Sequence, residues 1–187
     1  MSYASLLLRA AVSAVALLAT VGPVAEARIG RDVTQLDAFL KGLPLATMHD
    51  VPGMAPTRMW AGRIAGLVVA VRALPARGSL EEQVVEVEWP EQIRDHVPIG
   101  IMARLLVEAT GLRHGETLNQ LLLGMRDRIR HGGVRVPSIE LRGVRIEMEL
   151  LEEPPSSLRD GLATHAGTLY WRAVAKKSVK PRTIGKH

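Results

Sequence analysis

The chain contains no cysteine among its 187 residues. This absence excludes disulfides, thiol nucleophiles and iron–sulfur clusters, and it excludes the cysteine-containing zinc pattern of deaminases. It also excludes a lipid anchor on an N-terminal cysteine. A domain of this composition must be stabilised by its apolar core alone.

Aromatic residues are also scarce, with one Phe, two Tyr and three Trp in the whole chain. Few aromatic platforms are therefore available for a carbohydrate-binding cleft. The sequence contains no G-x-S-x-G nucleophile elbow and no G-x-x-x-x-G-K phosphate loop. No cofactor is predicted from these residues.

The longest apolar run lies at the N-terminus, over residues 10–21. As a helix it rises about 18 Å, well short of the ~30 Å hydrocarbon core of a bilayer. A basic residue precedes the run, Gly22-Pro23 follow it, and Ala25-Glu26-Ala27 supplies a small-x-small cleavage pattern. The pattern predicts a cleaved signal peptide over residues 1–27. The mature protein is then periplasmic or extracellular and is not an integral membrane protein after processing.

Acidic residues are missing from the C-terminal end. The net charge is +5, yet the chain from Arg172 onward has six basic residues and no acid, so the rest of the mature chain is close to neutral. A nucleic-acid-binding domain would carry its basic residues on one face, so nucleic acid is not predicted as a partner. Anionic lipid headgroups or acidic wall polymers fit a basic end better. The alternative is that the basic end is a solvated tail without a partner. We predict that the mature chain comprises one domain, 28–175, and a disordered tail, 176–187.

Three segments have helical spacing. Asp32 precedes an amphipathic stretch from Val33 to Leu40, and Pro98 begins a second helix that runs to Thr110 and ends at Gly111. The third helix, with apolar residues at i, i+3, i+4, i+7 and i+11 from Leu118, stops at Gly132-Gly133. Residues 44–58, rich in Pro, Met and Gly, predict an ordered loop.

Two segments predict β-hairpins. The first pairs a buried strand, within the apolar segment Met59 to Leu74, with the alternating segment Gln83 to Trp89, whose wetter face carries Glu86 and Glu88. The second covers residues 138–151, with Arg142-Gly143 as a two-residue turn. That turn places Leu141 opposite Val144, Glu140 opposite Arg145 and Ile139 opposite Ile146, which puts the apolar residues on one face.

A last strand is predicted from Thr168 to Ala175. The fold class is α+β, with an antiparallel sheet of about five strands (two hairpins plus the C-terminal strand) packed against two or three helices.

Three groups of residues could carry chemistry. Met48, His49, Met54 and Met59 offer thioether and imidazole ligands that suit copper, although Met in such a loop usually packs. His49 with Asp50, or His114 with Glu116, could act as an acid–base pair. Glu86 and Glu88, about 7 Å apart on one strand face, invite comparison with a glycosidase carboxylate pair, but two acids on a solvated face are far commoner.

The remaining candidate is an aromatic and basic group near the C-terminus. Tyr170 and Trp171 precede Lys176, Lys177, Lys180 and Arg182. Aromatic and cationic side chains together suit a protein partner or an anionic surface. The alternative is an edge strand with one buried aromatic residue.

These observations predict an exported, non-catalytic binding or envelope-accessory protein. Two alternatives remain open. One is an exported hydrolase that uses His49/Asp50 or His114/Glu116, and the other is a carrier of a small apolar ligand between helices and sheet.

Overall fold

A single antiparallel sheet of seven strands organises the fold. The computed structural model describes residues 29–30, 32–48, 57–76, 79–90, 93–112, 115–153 and 168–178. The strands are β1 (Leu45–Met48), β2 (Arg58–Ile64), β3 (Leu67–Ala76), β4 (Ser79–Trp89), β5 (Ser138–Leu141), β6 (Val144–Leu151) and β7 (Leu169–Lys177). Their spatial order is β1-β2-β3-β4-β7-β6-β5. The α+β class is confirmed, and the predicted five strands are too few.

Two strands were missed in the first half of the chain. The apolar segment Met59 to Leu74 contains a turn at Ala65-Gly66, where both residues have positive φ (52° and 83°), and it forms β2 and β3. Residues 45–48 pair with β2 as β1, where a loop was predicted. Gly62 permits this pairing, because a Cβ atom there would collide with the carbonyl oxygen of Pro44.

The second hairpin has the predicted register. Leu141 lies opposite Val144, Glu140 opposite Arg145 and Ile139 opposite Ile146. The turn residues Arg142 and Gly143 both have positive φ, as a tight two-residue hairpin turn requires. Alternation therefore fixed this register correctly, because a shift of one residue would expose the apolar side chains.

The final strand lies inside the sheet. β7 pairs with β4 on one side and β6 on the other, and it continues through Lys177, beyond the predicted end at Ala175. Ser178 then donates its backbone N–H to the Gly143 carbonyl (2.8 Å). The first two residues of the predicted disordered tail are thus strand residues.

Three helices complete the described fold: α1 (Thr34–Leu40), α2 (His96–Thr110) and α3 (Gly115–Arg130). The buried side chains of all three belong to one core with the same face of the sheet. α2 ends at Gly111 with φ 62°, as predicted. None of the three described helices combines the length and the hydropathy that a membrane-spanning helix needs.

The core continues around most of α2. Ile99, Met102, Leu105 and Leu106 are fully buried, and Ile101 and Val107 are nearly so. A helix that is apolar on most sides needs neighbours on most sides. α1, α3 and the sheet supply them, and Gln83 of β4 donates its side-chain N–H to the Leu105 carbonyl (2.9 Å).

Candidate functional site

The chemically distinctive residues lie on the face of the sheet opposite the helices, which we call the second face. The strand registers arrange its side chains in rows that cross the strands. One row contains Ala46, Ala61, Ala70, Glu86, Arg172 and Glu149. None of the three described helices contributes to the apolar cluster on this face, which comprises Ala61, Val68, Ala70 and Tyr170, with Met48 and Leu151 packed against it.

A buried carboxylate stands at the centre of this face. Glu86 is 1% exposed. Its Oε1 accepts a hydrogen bond from Arg72 Nη2 (2.9 Å) and lies 3.5 Å from Arg172 Nε. Arg172 also donates through Nη1 to Glu149 (3.0 Å). The two arginines come from β3 and β7, the strands on either side of β4, and contact the same oxygen of Glu86.

The second carboxylate, Glu88, is also buried, at 4% exposed. The backbone N–H of Val68 donates to its Oε2 (3.0 Å), and Arg63 Nη1 lies 3.9 Å from the same oxygen. The prediction that Glu86 and Glu88 share a strand face is confirmed. The prediction that this face is the wetter one is wrong at these two positions, because both carboxylates have neighbours that replace water.

Tyr170 lies directly opposite Glu88 in the pairing of β4 with β7. Its side chain is fully buried and belongs to the same apolar cluster as Val68 and Ala70 of β3, two strands away. The ring therefore extends across β4. Burial raises the pKa of the Tyr170 hydroxyl above its usual value, and the negative charge of Glu88 raises it further, so this phenol is a neutral donor at physiological pH.

Two buried hydrogen-bond donors on this face, the Tyr170 hydroxyl and Arg72 Nε, have no hydrogen-bond partner among the described residues. Arg172 Nε also makes no hydrogen bond, but it lies 3.5 Å from Glu86 Oε1 in an ion pair. Buried polar groups are normally paired, and an unpaired one costs about 1–3 kcal/mol. The Tyr170 hydroxyl and Arg72 Nε could each donate a hydrogen bond to an oxygen acceptor.

A row of alanines leads away from these donors. Ala46, Ala61 and Ala70 lie side by side on β1, β2 and β3. Exposure falls along this row, since Ala46 is exposed, Ala61 is 5% exposed and Ala70 is 1% exposed. Met48 and Met59, directly opposite each other in register, flank it on one side. We call this row the alanine row.

The aromatic pair predicted as a surface contact is not at the surface. Tyr170 and Trp171 are both fully buried, on opposite faces of a strand inside the sheet, so the expectation of an exposed aromatic contact is wrong. Trp171 packs in the helix-side core against Trp89, with ring centroids 5.7 Å apart. The alternative prediction, one buried aromatic residue on an edge strand, is also wrong, because β7 has a neighbour on each side.

The basic residues of that prediction separate. Lys176 bonds Glu147 (2.8 Å) and is half-exposed, and Lys177 is exposed at the end of β7. Lys180 and Arg182 lie outside the described residues. The predicted anionic-surface contact is therefore untested for these four side chains.

The predicted metal and acid–base candidates are only partly described. Met48 and Met59 face each other across β1 and β2, whereas His49, Asp50, Met54 and His114 lie outside the described residues. Glu116 lies in the first turn of α3 and accepts a hydrogen bond from Gln120 (2.9 Å). Among the described residues, no three acidic or histidine side chains come together as a metal site would require.

Sequence reasoning missed Arg63 and Arg72 as site residues, although they are the only charges in the apolar segment 59–74. Charges inside an otherwise buried strand are the available signal, because a strand keeps them only where a partner is present. The alanine row gives no sequence signal, since its members come from three different strands.

Comparison with protein-family models, with curated proteins and with solved structures finds no significant match. The carboxylates of the second face are engaged by arginines and a backbone amide, and its buried donors without a hydrogen-bond partner lie beside an apolar cluster.

Proposed function

We propose that this chain is an exported, non-catalytic binding protein whose second face carries the binding site. The observation that carries the proposal is that two buried donors beside the alanine row, the Tyr170 hydroxyl and Arg72 Nε, have no hydrogen-bond partner among the described residues. Leaving such donors unpaired destabilises the free protein, and a ligand that pairs them recovers that free energy on binding.

The second face favours binding over catalysis. A general acid or nucleophile needs a carboxyl group that is free to exchange a proton or attack. Glu86 is engaged by Arg72 and Arg172, and Glu88 accepts the Val68 amide. Ion pairs and hydrogen bonds of this kind hold a carboxylate in place. No described contact favours the hydrolase that the sequence left open.

The proposal of export rests on the sequence pattern of residues 1–27, and cleavage there would leave the described contacts intact. Cleavage after Ala27 retains Ile29 and Gly30. The Ile29 amide donates to the Ala109 carbonyl (3.1 Å), and the Gly30 amide donates to the Leu80 carbonyl (2.6 Å). The mature chain would therefore begin next to residues that are bonded to α2 and β4.

The basic end provides a secondary contact in this proposal. Lys177 is exposed where β7 leaves the sheet, and Lys180, Arg182 and Lys186 follow in the sequence. Each basic residue near an anionic lipid surface contributes about 1 kcal/mol. The segment thus adds affinity for an anionic envelope surface without forming the ligand site.

Cell fractionation followed by mass measurement of the purified chain tests export. We expect a soluble envelope or extracellular protein whose N-terminal residue is Arg28. An intact Met1 on protein in the cytosolic fraction would contradict the proposal.

Complementation of a deletion strain tests the binding role. We expect His49→Ala, His114→Ala and Glu116→Ala to restore the wild-type phenotype, because a non-catalytic protein does not need these groups. Truncation after Ser178 should weaken association with anionic vesicles and leave folding intact, since β7 ends at Lys177. Loss of complementation by a folded histidine variant would instead favour the hydrolase.

A further inference from the structure

The residues between the predicted leader and α1 belong to the folded domain. Four of them are described, Ile29, Gly30, Asp32 and Val33, and we call these the N-terminal arm. We infer that docking of the N-terminal arm blocks removal of the leader, so that cleavage has to come before the domain completes its fold. This inference rests on the cleavage after Ala27 in the proposed function, but docking of the arm is measured independently of it.

The first two arm residues are bonded to two different elements. The Ile29 amide donates to the Ala109 carbonyl in the last turn of α2 (3.1 Å), and the Gly30 amide donates to the Leu80 carbonyl of β4 (2.6 Å). The Ile29 side chain is partly buried and packs against the core. Two such hydrogen bonds favour the docked arm over the open arm by about 5- to 150-fold.

The other two arm residues continue the contact. Asp32 forms an antiparallel bridge with Ser79, the first residue of β4. Val33 is 5% exposed and belongs to the core that the helices share with the sheet. The N-terminal arm is therefore held at several points and not by a single hydrogen bond.

The predicted scissile bond, Ala27–Arg28, lies very close to these contacts. Two extended residues span at most about 7 Å, so a peptidase at this bond would meet α2 and β4. Gly30, the third residue after the bond, has φ 87°, which is not the extended backbone that a peptidase cleft binds. Cleavage of the folded chain must therefore proceed through the small population in which the arm is open.

Leader removal and arm docking thus compete. When cleavage comes first, the arm docks and the mature fold is complete. When docking comes first, the folded chain keeps the apolar run of residues 10–21. It then loses this run only at the rate at which the arm opens.

Cleavage of the full-length chain by purified signal peptidase in detergent micelles measures this protection. A flexible Gly-Ser spacer of about six residues between Arg28 and Ile29 moves the scissile bond away from the fold, and we expect cleavage at least about tenfold faster than in the wild type. Gly30→Ala should be cut about fivefold faster or more, because its Cβ meets nothing within 4 Å and only the positive φ opposes it. The controls are the same spacer after Ser178 and Gly124→Ala in α3, which should both be cut at the wild-type rate.

Trypsin provides a readout that does not depend on the leader. It cuts after arginine, and the bond after Arg28 is adjacent to the first contact of the arm. We expect mass spectrometry to show that this bond is cut at least about tenfold more slowly in the wild type than in the spacer variant.

Equal trypsin rates after Arg28 in the wild type and the spacer variant would overturn the inference. Signal peptidase that cuts both chains after Ala27 at the same rate would also overturn it, and would leave export standing. A spacer variant that signal peptidase does not cut after Ala27 would refute the leader and the proposed export, whereas slow trypsin cleavage in the wild type would still support the docked arm.

Discussion

The same substitution, glycine to alanine, should have opposite effects at two positions of this fold. At Gly62 a Cβ atom would collide with the Pro44 carbonyl oxygen and would lie 3.2 Å from Leu45 Cα. These are backbone atoms, so β1 itself must move, and the pairing of Leu45 with Gly62 is disturbed. Overpacking of this kind costs about 1–3 kcal/mol.

At Gly124 the opposite holds. This exposed residue lies inside α3, and a Cβ atom there meets nothing within 4 Å. Alanine is about 1 kcal/mol more favourable than glycine in a helix interior. For a chain of this size that corresponds to a rise in melting temperature of about 2–4 °C.

Denaturant titration of the two variants and the wild type measures whether each substitution raises or lowers the free energy of unfolding. We expect a lower midpoint for Gly62→Ala and a higher one for Gly124→Ala, with the slope unchanged in both. A Gly62→Ala variant as stable as the wild type would refute the close approach of β1 to β2. A destabilised Gly124→Ala would refute the open environment of that helix position.

Three further predictions concern single side chains. Without ligand, Tyr170→Phe should be more stable than the wild type by about 1 kcal/mol, because it removes a buried hydroxyl that has no hydrogen-bond partner among the described residues. A lower midpoint of thermal unfolding in the variant would contradict this prediction. Tyr170 is the only tyrosine of the chain after residue 27, so the tyrosinate absorbance of the mature protein reports on this residue alone. Because the pKa of Tyr170 is raised in the folded state, this absorbance should rise only above pH 10, and the folded state should lose stability as the pH rises past that usual pKa. Ionisation near pH 10 would instead show an exposed phenol. The Thr34 amide donates a hydrogen bond to Asp32 (2.9 Å) and lowers the pKa of that carboxyl below its usual 3.8. The stabilisation by this carboxylate is therefore present above that pH and lost as the pH falls through the folded pKa. Asp32→Ala should remove it, and an identical acid dependence in wild type and variant would contradict a stabilising role for this hydrogen bond.

The sequence predicted elements whose pattern is local. The β5–β6 hairpin was placed residue by residue, because alternating apolar positions and a turn dipeptide leave one register that buries one face. The ends of α2 and α3 were placed within a few residues, because Gly111 and Gly132-Gly133 stop a helix for local conformational reasons.

Features that have no local sequence signal were predicted wrongly. Ala65-Gly66 interrupts an apolar run with two small residues, and nothing nearby shows that Ala65 adopts positive φ. The β2–β3 turn was missed for that reason. Tyr170 and Trp171 were expected near a surface because a basic tail follows them, yet β7 lies between β4 and β6, and strand order depends on pairing between distant segments.

What the sequence determined by itself was the class of the domain, its helices, one hairpin and the absence of cysteine chemistry, because each follows from composition or from spacing within one segment. What only the tertiary structure decided was the site. The alanine row comes from β1, β2 and β3, and the unpaired donors come from β3 and β7, on either side of β4. Sheet register brings these segments together, and no single segment carries the information that they meet.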